Sequence, residues 1–196
     1  MRLSSSVATL LAELGTRGAL LSGHFKLSSG RHSDRYVEKF RLLEDPKLVE
    51  AAAALILERF AADAPSVVVS AAVGGIVLGY ECARQLGVKA IFVEKENGVP
   101  SLRRGFELSG ADRVLVVEDV VTTGLSVREV LDVVGATGAA IAGVGIIVRR
   151  SAVDFGVRSE AVLDLPIASY APEECPQCLR GAPLTERGSR FLRASP

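Results

Sequence analysis

Val114-Leu115-Val116-Val117-Glu118-Asp119-Val120-Val121-Thr122-Thr123-Gly124-Leu125-Ser126 is the most informative stretch of the chain. Its four leading apolar residues read as a strand buried on both faces, because a half-exposed strand would alternate. Two adjacent carboxylates at the end of such a strand are costly unless they meet a ligand, a metal or hydroxyl donors. Small hydroxylated residues and a glycine follow, and a helix is expected from Ser126 to about Val134. Amides in that turn, with the helix N-terminus, make a phosphate cradle. Acids beside such a cradle suit a molecule carrying both a vicinal diol and a phosphate, as a ribose 5-phosphate does. The acid pair alone is equally compatible with an acidic metal site or a capped strand–helix turn.

The pattern repeats outward. Val67-Val68-Val69, Ala90 to Val93, Ala140 to Val148 and Ala161 to Ile167 are further apolar runs, with helical segments between several of them. This predicts an α/β fold with a mainly parallel sheet flanked by helices, whose ligands bind beyond the carboxyl ends of the strands. Upstream, Val7, Leu10, Leu11 and Leu14 give a helix over Ser4 to Leu14 with Gly15 as its stop. His24 to Arg41 reads as a hairpin. Asp45-Pro46 opens a helix to about Ala62, with aspartate as N-cap and proline in the first turn. A single domain is expected over 1–196, with a core at about 46–167 and a small N-terminal hood at about 1–45 joined by a C-terminal tail from about 168.

Two other strand ends carry candidate chemistry. Ser70-Ala71-Ala72-Val73-Gly74-Gly75 follows the first core strand, and its glycines let backbone amides approach an anion. Tight strand–helix packing would use the same residues. Glu94 to Gly105 follows the next strand and holds Lys95, Arg103 and Arg104. A mobile basic loop there could close over a polyanionic substrate and exclude water. An exposed hairpin with solvated charges is the plainer alternative.

Composition narrows the class. The 196 residues are 48% hydrophobic and 23% charged, with 23 Lys plus Arg against 23 Asp plus Glu. That balance argues against a nucleic-acid or membrane-surface binder, while leaving room for a local anion site. Mean hydropathy is +0.31, yet apolar runs such as Ala139 to Val148 fall short of the roughly 18 residues a spanning helix needs. Glu13 interrupts the short apolar run after Arg2, so no signal peptide is expected, and a cytoplasmic setting follows. Cys82, Cys175 and Cys178 are too few for a disulfide framework. Cys175 and Cys178 form a lone Cys-x-x-Cys; a tetrahedral zinc would need Cys82 with His24 or His32 to converge on it. Nothing in the sequence arranges that, so a structural turn with no metal ligands is expected there, and Cys82 is expected to pack in a helix as an apolar residue.

Val116-Val117-Glu118-Asp119-Val120-Val121-Thr122-Thr123-Gly124 resembles the phosphoribosyl pyrophosphate (PRPP) signature of type I phosphoribosyltransferases. The resemblance implies that Glu118 and Asp119 face the ribose hydroxyls, that Val120, Val121, Thr122, Thr123, Gly124, Leu125 and Ser126 belong to the PRPP site, and that Ala72-Val73-Gly74 binds pyrophosphate. Gly23-His24-Phe25-Lys26-Leu27-Ser28-Ser29-Gly30-Arg31-His32-Ser33-Asp34-Arg35-Tyr36 resembles the N-terminal hood of orotate phosphoribosyltransferases. Cys175 to Leu184 and Gly188-Ser189-Arg190 resemble the tail of a bacterial and archaeal branch of them. Orotate contacts are thereby implied at Thr122 and Arg150. Some members carry a lysine at the position of Ser28; Lys26, two residues earlier on the same strand face, is the candidate substitute. Val73-Gly74 stands where many members have tyrosine-lysine, which removes one cation. Lys95 is the best match to the family's loop cations and would steady the departing pyrophosphate with Glu118 and Asp119 as the other catalytic groups.

The resemblance further implies Mg2+ on PRPP and a homodimer whose loop reaches the neighbouring site. Three other readings stay open: transfer to a different base, a regulatory protein that keeps the PRPP fold to sense nucleotides and bind RNA, and an acidic metal-dependent protein unrelated to PRPP.

Overall fold

The structure, a computed structural model, describes residues 6–27 and 29–186. Helix α1 (Val7–Thr16) opens on Ser6, whose hydroxyl accepts from the Thr9 amide at 3.1 Å and satisfies one of the unpaired donors of a helix start. The expected start at Ser4 lies outside the described residues. Gly15 does not stop the helix: the chain leaves it at Arg17, whose amide reaches Glu13 O. Strands β1 (Leu20–Lys26) and β2 (His32–Val37) form the expected hairpin, which starts at Leu20 rather than His24. A four-residue helix α2 (Phe40–Leu43) follows that was not foreseen, since one turn is too short to show a period.

Helix α3 (Pro46–Phe60) is capped as expected, Asp45 accepting from Lys47 N at 2.9 Å. The core then alternates β3 (Val67–Ala71), α4 (Gly75–Leu86), β4 (Lys89–Glu96), β5 (Val99–Leu102), β6 (Arg113–Val121), α5 (Leu125–Gly135), β7 (Ala140–Arg149) and β8 (Ser159–Asp164). These strands make a six-stranded sheet in the order β5-β4-β3-β6-β7-β8, parallel except where β5 turns back on β4. Alternate residues serve opposite faces. Val68, Leu115 and Ile147 join Ile56 of α3 and Leu78 of α4 in one core; Val67, Val116 and Ile146 join Val127 and Val134 of α5 in the other.

Three strand ends differ from the sequence expectation. β6 runs through Glu118 and Asp119 to Val121, because pairing with β7 continues as far as Val121↔Arg149; the acids lie inside the strand, not after it. β4 continues through Lys95 to Glu96, because Val99–Leu102 pairs with it across an Asn97-Gly98 turn with φ of 51° and 83°, the positive pair a type I′ hairpin needs. β8 spans Ser159–Asp164 instead of Ala161–Ile167, stopping short of Pro166, which has no N–H for the ladder.

The order of strands locates the site. From β3 the chain moves through α4 to β4 on one side, and from β6 through α5 to β7 on the other. The loops leaving β3 and β6 therefore diverge over the two faces and leave a crevice between them, the topological switch point. The hood stands beside it as a separate three-stranded sheet, order β2-β1-β9, completed by the tail: a short helix α6 (Pro176–Leu179) and β9 (Thr185–Glu186), which pairs parallel with β1. Among the described residues no helix is long and apolar enough to cross a membrane.

Candidate active site

Glu118 and Asp119 are 5% and 2% exposed, at the carboxyl end of a central strand. Their environment divides the work of satisfying them. Ser126, in the first turn of α5, donates its hydroxyl to Glu118 Oε2 at 2.7 Å, and the Asp119 amide donates to Oε1 at 3.1 Å. Asp119 Oδ1 accepts from the Val120 amide at 2.6 Å. Its Oδ2 lies 2.9 Å from Lys39 Nζ but accepts no directed hydrogen bond. Burial, and then the neighbouring Asp119 charge, push Glu118 up from about 4.5 to about 7, against the Ser126 hydroxyl and the Lys39 ammonium, which lower it. Further hydroxyl donors reaching the pair would favour its charged form.

Lys39, just after β2, was not singled out from the sequence. Its position beside Gly74 explains its role. A Cβ on Gly74 would lie 2.4 Å from Lys39 Nζ and 2.4 Å from Asp119 Oδ2. The hood lysine therefore fills the space into which any side chain at position 74 would project. Lys39, from another element, thus places its ammonium beside the Ala72-Val73-Gly74 loop. Nothing local in the sequence announces this, because Lys39 and Gly74 meet only through the packing of hood on core.

After β6 the loop offers Thr122 and Thr123 to solvent, and Gly124 takes φ 78° before α5 begins at Leu125. A Cβ on Gly124 would meet Val153 and Phe155 at 2.8 Å, so both conformation and space require glycine. Arg150, on the next strand end, donates its amide to Val121 O at 2.9 Å. Its guanidinium is half-buried and its Nε has no hydrogen-bond partner. Burial pulls its pKa down and Tyr36 of the hood opposes that. Arg150 thus lies between the loop 122–126 and the hood, with a donor to spare.

The other expected cations are engaged elsewhere. Lys26 Nζ is 2.8 Å from Glu186 of the tail strand, and no described contact joins it to the acid pair. Ser28 and Gly188-Ser189-Arg190 lie outside the described residues. Lys95 is not on a free loop but on the β4–β5 hairpin, its Nζ 2.7 Å from Glu129 of α5. Arg103 pairs with Glu96 at 3.0 Å and Arg104 binds Glu94 through two hydrogen bonds of 3.0 and 3.1 Å.

The cysteines divide otherwise than the sequence suggested. Cys82 is fully buried in α4, as expected, and burial raises its thiol to about 12. Cys175 and Cys178, expected to mark a plain turn, meet both histidines, His24 and His32, with all four ligand atoms within 4.8 Å of one another. The β1–β2 hairpin and the tail bring them together, a juxtaposition that neither Cys-x-x-Cys nor the spacing of the histidines encodes alone.

Comparison with known proteins accords with this geometry. A phosphoribosyl transferase domain model matches residues 41–158. An orotate phosphoribosyltransferase of Pelotomaculum thermopropionicum is 53% identical over 177 residues, 89% of this chain and 93% of that one. The crystal structure of orotate phosphoribosyltransferase from Aeropyrum pernix superposes with a TM-score of 0.65 at 32% identity, covering 78% of this chain and 92% of its own. That of the Mycobacterium tuberculosis enzyme in complex with PRPP gives 0.64 at 30% identity, covering 81% and 96%.

The raised Glu118 has a consequence for stability. The folded state keeps this proton up to about pH 7, whereas the unfolded chain releases it near 4.5. Stability contributed below that window is lost as pH rises through it. Against Glu118→Gln, which cannot ionise, the wild-type chain should lose about 2–3 kcal/mol between pH 5 and pH 8. Denaturant unfolding of both proteins at the two pH values checks this; a difference that does not change with pH would refute the assignment.

Proposed function

The chain belongs to the orotate phosphoribosyltransferases, pentosyltransferase enzymes with a phosphoribosyl transferase domain, and on that premise we propose how it acts on PRPP and orotate in de novo pyrimidine biosynthesis. It transfers the ribose 5-phosphate of PRPP to orotate, giving orotidine 5′-phosphate and pyrophosphate. The observation that carries the reading is the buried Glu118–Asp119 pair at the carboxyl end of β6, in which Asp119 Oδ2 accepts no directed hydrogen bond.

Glu118 and Asp119 accept from the ribose hydroxyls and fix the sugar. The amides from Val121 to Ser126, at the α5 N-terminus, hold the 5-phosphate. The loop Ala72-Val73-Gly74 takes the pyrophosphate, with Lys39 supplying the nearby positive charge. Arg150, half-buried with a spare N–H, takes the orotate carboxylate, beside Thr122, in a charge-assisted bond that suits a guanidinium. Orotate is readily deprotonated, so positioning and electrostatic stabilisation of the leaving pyrophosphate carry the rate, without a covalent intermediate.

Mg2+ suits this site: the donors are carboxylate oxygens, the ligand type the ion prefers. Because Lys39 already sits on Asp119, the ion would be held mainly through the oxygens of PRPP with Glu118 and Asp119 near it. When bound it would neutralise charge on the diphosphate. Lys95 is read as acting on the pyrophosphate of a neighbouring subunit in a homodimer, exchanging its pairing with Glu129 for the substrate. The three cysteines are unpaired with one another, which suits a reducing, cytoplasmic setting.

Three outcomes are expected. With PRPP and Mg2+, the protein should consume orotate, followed by loss of its absorbance, and leave hypoxanthine, guanine and uracil unchanged; turnover of another base would reassign the hood, and PRPP binding without any turnover would favour a sensor. Lys39→Ala should lower kcat/KM for PRPP roughly 10- to 100-fold, the scale of removing one partner of a half-buried charged hydrogen bond, with KM for orotate less affected; unchanged PRPP kinetics would remove Lys39 from the site. Mixing Lys95→Ala subunits with Glu118→Ala, Asp119→Ala subunits should restore activity above either parent, and activity that never rises would exclude shared sites.

A further inference from the structure

We infer that His24, His32, Cys175 and Cys178 form a structural zinc site that clamps the C-terminal tail to the hood. The two histidines come from facing strands of one hairpin; Cys175 caps the start of α6 and Cys178 lies within it. His24, His32 and Cys175 are buried, at 5%, 5% and 1% exposure.

The distances describe a coordination shell. His24 Nε2 lies 3.1 Å from His32 Nδ1 and 3.5 Å from each cysteine sulfur, and His32 Nδ1 lies 3.2 Å from Cys178 Sγ. A tetrahedron with Zn–N of about 2.0–2.1 Å and Zn–S of about 2.3 Å has N···N edges of about 3.4 Å and N···S edges of about 3.6 Å. The observed separations come within a few tenths of an ångström of these. They fit one ion; in a two-iron cluster the histidines and cysteines sit on different irons.

Hydrogen bonding alone explains the cluster poorly. His24 Nδ1 faces Ala182 O at 3.0 Å, and a carbonyl only accepts, so in the neutral ring the proton is on Nδ1 and Nε2 presents a lone pair. Three potential donors, His32 Nδ1 and both thiols, converge on that single lone pair. A cation satisfies all four groups at once. The Nδ1–H···O=C bond is the outer contact that commonly orients a metal-bound histidine.

Charge and ligand type specify the metal. Binding would release a proton from each thiol, and two thiolates with a divalent ion leave a neutral unit, which can be buried without an unpaired charge. Nitrogen and sulfur donors select zinc over Mg2+ or Ca2+. Four protein ligands leave no open position, so the role is structural. What it holds is visible in the chain: β9 follows the cluster and adds to the hood sheet, among the described residues, through Phe25↔Thr185 and Lys26↔Glu186.

Protein purified from zinc-replete medium and dialysed against metal-free buffer should hold one zinc per chain by elemental mass spectrometry. The Cys175→Ser, Cys178→Ser double variant should hold at least ~10-fold less, as expected when half the ligands are gone. Cobalt substituted into the wild-type chain should give the visible bands of a tetrahedral ion and a near-ultraviolet thiolate-to-cobalt band, both abolished by added zinc. This second measurement decides the matter if the double variant does not fold. Wild-type protein with no bound zinc, a Cys175–Cys178 disulfide in its place, or cobalt bound without the thiolate band would each overturn the inference.

Discussion

Two carboxylates buried side by side at the end of a central strand constrain everything around them. Each would cost several kcal/mol to desolvate without compensation, and here the compensation comes from three separate parts of the chain. Ser126 reaches back from α5 to Glu118, the strand's own amides turn to both side chains, and Lys39 comes across from the hood to Asp119. The pair therefore ties hood, strand and helix together. Asp119 Oδ2 and the raised pKa of Glu118 show that this compensation stops short. On the reading proposed above, a ligand's hydroxyls would supply the remainder, making the acids a binding site as well as a packing problem.

The strand runs and the acid–acid–hydroxyl segment were legible because they are local. Buried parallel strands must be apolar throughout, and Val67 to Val69 or Val114 to Val117 show it directly. The limits of strands were less legible, since pairing with a neighbour decides them: β6 passes through its acids because β7 is there to pair with, and β4 passes through Lys95 because β5 folds back. Gly74 shows a deeper limit. The glycines around it suit an anion loop or tight strand–helix packing equally, and only the fold shows Lys39 occupying the space a side chain at position 74 would take. The same applies to His24 and His32, which lie eight residues apart on a hairpin and become neighbours only when the strands pair.

Lys39 and Arg150 can be understood as one arrangement. Both lie where hood meets core, Lys39 beside the acid pair and Arg150 between Tyr36 and the loop after β6. Cations placed at the junction can serve two anions, one for each side of the crevice, only if the hood keeps its position. A three-stranded hood sheet is a marginal structure, since small sheets bury little.

That marginality gives the cysteine–histidine cluster its place in the argument. It lies at the turn end of the β1–β2 hairpin, and the same hairpin leads through Tyr36 to Lys39 at its open end. A metal there would fix the register of β1 and β2 at one end and so the direction in which the chain delivers Lys39 at the other. Placing a cation from a flexible hood would lose much of its effect to conformational entropy. Placing it from a clamped one is compatible with a glycine at position 74, which would leave the backbone of the loop after β3 open to an anion, as proposed above. On the readings proposed above, the glycine where many members carry a lysine and the tail's Cys-x-x-Cys would be two parts of one solution: a charge delivered from the hood, and a hood rigid enough to carry it.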